Sequence, residues 1–128
     1  MEAFMNRSGM NMEQLFKSVL EQDKAPIVLC DMQSTVVYMN SSAIKRYQMD
    51  LTGKNLKSCH PADANEKIDR VLAWFQKDRD NNIVYTSRND AENKDVYMVA
   101  LRTDSGALIG YYEKHEYRDR ETVGLYDI

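Results

Sequence analysis

The stretch APIVLCDMQSTVVYMNSSAIKRY, residues 25–47, decides the fold. Ala25 and Pro26 end any helix that precedes them, because proline fixes φ and removes a backbone donor. IVLC (27–30) is a short apolar run of the kind that fills a buried strand. DMQS (31–34) supplies turn residues, and TVVYM (35–39) is rich in the β-branched and aromatic side chains that suit a pleated surface. Two short strands joined by a polar turn predict a hairpin. Asn40 and Ser41 have the side chains that cap helices. SSAIKRYQM (41–49) then puts Ala43, Ile44 and Tyr47 on one side of a short helix.

Upstream, Asn11 can cap a helix with Gln14 three residues on as its capping-box partner. Met12, Leu15, Phe16, Val19 and Leu20 fall at the i, i+3, i+4, i+7, i+8 spacing of one face. The spacing predicts an amphipathic helix over 11–22, with residues 1–10 frayed. Its stripe must be covered by the chain's own core or by a second chain.

Downstream, LTGKNL (51–56) looks irregular, with Gly53 free to take a positive φ. In LKSCHPADANEKIDRVL (56–72), Pro61 suits the start of a helix and Asp63 with Glu66 forms a capping-box pattern. Ile68, Val71, Leu72 and Phe75 carry the helical period, and KDRDNN (77–82) ends it. IVYTSR (83–88), DVYMVALR (95–102) and ALIGYYEKHEY (107–117) read as strands. The polar segments NDAENK and TDSG join them. Strict alternation puts Ala107, Ile109, Tyr111, Glu113 and His115 on one face of the last strand. Helix, two strands, helices, three strands is an α+β order, with an antiparallel sheet covered on one face.

The totals bound the function. The chain has 128 residues, a net charge of −3 and 43% hydrophobic residues. One compact domain of that size buries enough surface to hold a core. An acidic balance with no basic cluster argues against nucleic acid or an anionic membrane as partner. No apolar run approaches the roughly 20 residues of a membrane helix, and no signal-peptide pattern opens the chain. Two cysteines make no disulfide scaffold, so a reducing cytoplasmic setting is the expectation.

Cys59 and His60 are the residues with most chemistry. As neighbours they project about 100° apart on a helix, so they do not make a nucleophile–base dyad. The spacing of the Cys and His residues lacks a zinc pattern. His60 can serve as a haem ligand, or it can cap a helix or stay solvated; His115 is a weaker candidate. Tyr38, Tyr47, Phe75, Tyr85, Tyr97, Tyr111 and Tyr112 can line a cavity or simply pack as core and cross-strand pairs. Met32, Met39, Phe75 and Met98 are bulky enough to fill such a cavity.

Residues 25–47, followed by LTGKNL and closed by LRTDSGALIGYYEKHEYRDRET, resemble a PAS domain over about residues 23–122, with residues 123–128 as a tail. The CHP ahead of a long helix is similar to a subgroup of bacterial PAS sensors. The light-sensing motif NCRFLQ is absent, and Asp119 with Thr122 only approximates the usual Asp-x-Thr ending. The resemblance implies a five-stranded antiparallel sheet with helices on one face, and a sensory module rather than an enzyme. It implies a small ligand or cofactor (haem among the candidates) held between sheet and helix by Tyr38, Cys59, His60, Ile68, Leu72, Phe75 and Tyr97. It further implies a homodimer through Met12, Leu15, Phe16, Val19 and Leu20, and a downstream signalling protein. A ligand-free dimerisation or interaction domain is the other reading.

Overall fold

The structure is a computed structural model that describes residues 9–58 and 60–128. Cys59, and the expectation for the chain start over residues 1–8, lie outside the described residues. Helix α1 (Met12–Gln22) precedes the hairpin β1 (Val28–Asp31) and β2 (Val36–Met39). Helix α2 (Ser41–Tyr47), a 3-10 turn (Leu56–Ser58) and helix α3 (Ala62–Lys77) follow, and strands β3 (Ile83–Asn89), β4 (Lys94–Arg102) and β5 (Leu108–Tyr117) complete the domain. The five strands form one antiparallel sheet in the order β2-β1-β5-β4-β3.

The hairpin forms for local reasons. Asp31 Oδ1 accepts the amides of Gln33 and Thr35, both at 2.9 Å, and Ser34 takes the left-handed conformation at φ 65°. This is the Asx-type turn that aspartate favours. Asn40 caps α2 by accepting the Ala43 amide at 2.9 Å, and Asn11 caps α1 by accepting that of Gln14 at 3.1 Å. Gly53 has φ +87°, as its position in an irregular segment requires. That segment lies against the hairpin: the Val36 amide donates to Lys54 O and the Leu56 amide to Ser34 O, each at 2.9 Å.

The core lies on one face of the sheet, where Cys30, Val36, Met39, Met98 and Tyr111 meet Ala43 of α2 and Ile68, Leu72 and Phe75 of α3. Two local expectations are corrected. Pro61 occupies the N-cap of α3 and no side chain caps that end, so Asp63 and Glu66 do not form the capping box. In β5 the pairing shifts between Leu101 and Arg102, leaving Ile109 as an extra residue. The bulge reverses the alternation there. Ile109 is 54% exposed, while Leu108 packs against the core.

Candidate functional site

A largely enclosed cavity of about 230 Å3 lies between the sheet and the segment that runs from α2 into α3. Val28 and Cys30 of β1 and Tyr111, Glu113 and His115 of β5 contribute from the sheet. Tyr47, Leu51, Leu56, His60 and Ile68 line the other side. The antiparallel register that sets Cys30 opposite Tyr111 puts the alternate residues of β5 on this face. Small side chains on β1 leave space at this end of the core, whereas Leu72, Phe75 and Met98 fill the other.

Most of the wall is apolar, and its polar groups are distinctive. His60 Nδ1 and His115 Nδ1 are buried with no hydrogen-bond partner among the described residues. Such atoms are costly to leave unmet, because burial removes water without supplying a replacement. Glu113 projects into the same cavity. Burial raises its pKa above the usual carboxylate value, and its interactions with His60, Lys94 and Arg46 offset part of the rise. His115 is lowered from the usual 6.5 to about 4, first by burial and then by Lys94 and Arg46, so its imidazole is neutral at physiological pH.

The positive field has a defined source. Lys94 is only 2% exposed, and its Nζ lies 3.3 Å from Glu92 Oε2 and 5.2 Å from the centroid of the Tyr117 ring. Glu92 also receives both terminal nitrogens of Arg46, at 2.7 and 3.0 Å. Burial raises the Cys30 thiol to about 11, so it is a packing residue and not a nucleophile. The Tyr111 hydroxyl is 2.7 Å from Ser34 Oγ.

Of the residues expected as ligand contacts, His60 and Ile68 line this cavity. Leu72 and Phe75 belong to the packed core instead. Tyr38 and Tyr97 are on the opposite sheet face: Tyr38 pairs with Leu29, and Tyr97 with Tyr85 and Lys114. A bulge at Val37, where Cys30 pairs with Val36 and Leu29 with Tyr38, sets the phase of β2. On that outer face Tyr38 donates to Glu21 of α1. Glu113 was not singled out as a lining residue, and the signal was present: with His115 it shares the face of Tyr111, a carboxyl and an imidazole on the side that should have been apolar.

The cavity does not fit haem. An engineered cavity of about 150 Å3 takes one benzene, and a tetrapyrrole is several times that size. Among the described residues no group of three or more His, Cys, Asp or Glu side chains is placed to hold a metal ion. A second concavity of about 530 Å3, between α3 and β3 around Trp74 and Ile83, is an open groove and not an enclosed site.

No family model and no curated protein matches the chain. Its fold does match solved structures. The PAS domain of a Colwellia psychrerythraea protein superposes with a TM-score of 0.62 at 11% identity, over 84% of this chain and 97% of that one. The PAS domain of Bordetella pertussis BvgS gives 0.61 at 15% identity, over 87% and 89%. A sensory box sensor histidine kinase from Vibrio cholerae gives 0.55 at 13% identity, over 82% and 90%. With that strand order, α2 and α3 on one face and those structural neighbours, the chain takes the PAS-domain fold.

Proposed function

We propose that this chain is a sensory, signal-transducing module: its cavity receives a small molecule, and dimer packing relays the event. Binding, not turnover, is the activity. The carrying observation is the enclosed cavity with two unpartnered imidazole nitrogens in its wall. A ligand that meets those atoms gains what the empty protein lacks. His60 and Ile68 are its contacts in this reading. The domain that carries this role is residues 23–122.

The relay has a physical route. His115 lines the cavity and also borders the α1–β1 connection through Asp23, Ala25, Pro26 and Ile27. On α1, Phe16 is 62% and Val19 70% exposed, and no residue of the helix is buried. An apolar stripe left open in this way is covered by a second copy in this reading. A downstream signalling protein would read the resulting shift in α1 packing.

The alternative is a ligand-free dimerisation domain, favoured by the bulky Met39, Leu72, Phe75 and Met98 packed in the core. Native mass spectrometry of the purified chain, compared with its denatured mass, separates the two. A dimer carrying a non-covalent small molecule, or gaining one from a metabolite extract, is the expected result. A dimer that never gains mass favours the alternative, and a monomer at all concentrations refutes the relay.

A further inference from the structure

The chemistry of the lining restricts what the cavity accepts, and the restriction rests on the reading that it binds a small molecule. Scaling from the roughly 150 Å3 that takes benzene, a cavity of about 230 Å3 holds roughly ten non-hydrogen atoms. Ring compounds pack that many atoms compactly, whereas an extended chain needs a groove. Val28, Leu51, Leu56 and Ile68 offer such a ring only apolar surface. His60 Nδ1, His115 Nδ1 and the Glu113 carboxyl offer a polar edge.

We infer that the cavity selects an uncharged one- or two-ring compound carrying a hydroxyl or N–H group. Its donor meets the imidazole and carboxyl edge, and its ring fills the apolar end. A cation is disfavoured because Lys94 and Arg46 already place positive charge beside the polar edge, and burial works against an ionised Glu113 that could pair with an ammonium. An anion is disfavoured because burial would strip its water while Arg46 and Lys94, the cations nearest the polar edge, are already paired with Glu92.

Calorimetric titration of the full chain with phenol, indole, benzoate and benzylamine tests this, since the four are similar in size and differ in charge. Phenol or indole should bind saturably, with benzoate and benzylamine at least tenfold weaker. His115→Phe should weaken phenol binding by up to about tenfold, the worth of one hydrogen bond, and His60→Gln serves the same purpose should the first variant misfold. Leu56→Trp, filling the cavity, should abolish binding while the amide NMR spectrum stays folded. Tighter binding of benzoate or benzylamine overturns the ligand class and leaves the sensory reading standing. No saturable binding of any probe at millimolar concentration overturns both. Binding that survives Leu56→Trp places the site elsewhere and overturns the inference.

Discussion

Replacing Asn40 should unfasten α1 from the domain and destabilise the whole chain. This side chain is fully buried at the junction of β2 and α2. Its Oδ1 accepts the amides of Ile27 and Ala43, both at 2.9 Å. Its Nδ2 donates to Leu20 O at 2.9 Å, Ala25 O at 3.0 Å and Asp23 O at 3.4 Å. Asn40→Ala removes the cap of α2, worth about 1 kcal/mol. It also leaves the buried Ile27 amide without a partner, at roughly 1–3 kcal/mol. The α1 carbonyls are partly buried and regain water, so they add little. The sum is about 3 kcal/mol, well above the effect of an ordinary surface change. Urea unfolding followed by Trp74 fluorescence and far-ultraviolet dichroism, at one fixed protein concentration, measures it. Asn40→Asp separates the two halves of the hub. It keeps both accepted amides but turns a carboxylate oxygen toward the carbonyls of Leu20 and Ala25. The α2 cap should survive, while amide exchange in the last turn of α1 speeds up. A loss below about 1 kcal/mol in the alanine variant would refute the hub, because it would mean that water satisfies the Ile27 amide at no cost.

Three further outcomes are expected. A Cβ at Gly110 would sit 2.2 Å from the Cys30 carbonyl oxygen; Gly110→Ala should therefore cost about 3 kcal/mol or more in urea midpoint terms, and a variant as stable as the parent contradicts the close strand approach. Stability should fall on acidification in two windows. The folded protein holds His115 at about 4 against the usual 6.5, so it binds fewer protons than the unfolded chain between those values. Glu92, held at about 2 by Arg46 against the usual 4.5, loses its contribution as pH falls from 4.5 toward 2. The raised Glu113 acts in the opposite direction. His115→Phe should flatten the slope between pH 6.5 and 4 and leave the lower window intact, and an unchanged upper slope assigns that titration elsewhere. Phe16→Glu with Val19→Glu should weaken self-association at least tenfold in sedimentation velocity, while monomer stability stays within about 0.5 kcal/mol, because both side chains are exposed.

What the sequence disclosed was set by local physics. Residues 25–47 fold as read because the turn, the cap and the strand propensities all act within a few positions. The helices over 12–22 and 62–77 follow from the 3.6-residue period. Tyr97 is turned outward by plain alternation with the buried Val96 and Met98, but Tyr38 and Ile109 went astray for a non-local reason. A face assignment by strict alternation survives only until the first bulge, and bulges occur where two strands pair, which neither strand encodes alone. The capping box at Asp63 failed because Pro61 took the N-cap, two residues ahead of the position that a box with Glu66 requires. Cavity lining failed in part for the same reason as the face assignments. A titratable pair on β5 looks like a solvated strand until the sheet's partner layer is known.

The fold holds α3 unevenly, and the unevenness bears on how a cavity could report. At its C-terminal end, Arg102 donates to Phe75 O at 2.7 Å, Asn81 O at 3.1 Å and Asp78 O at 3.2 Å, and its Nε reaches Asn82 Oδ1 at 2.7 Å. One guanidinium thus satisfies the Phe75 carbonyl that the helix end leaves open and ties that end to the loop that follows. At the other end no side chain caps the helix, and Asn65, though its Nδ2 donates to Lys57 O at 2.9 Å, keeps a buried Oδ1 without a partner among the described residues. His60 and Ile68 sit at that weaker end and line the cavity, while Leu72 and Phe75 sit toward the clamped end and pack the core. The end of α3 that lacks a capping side chain is therefore the end that borders the cavity. Under the proposed sensory reading, binding energy spent there would reposition a helix start, which costs less than moving an element fixed at both ends.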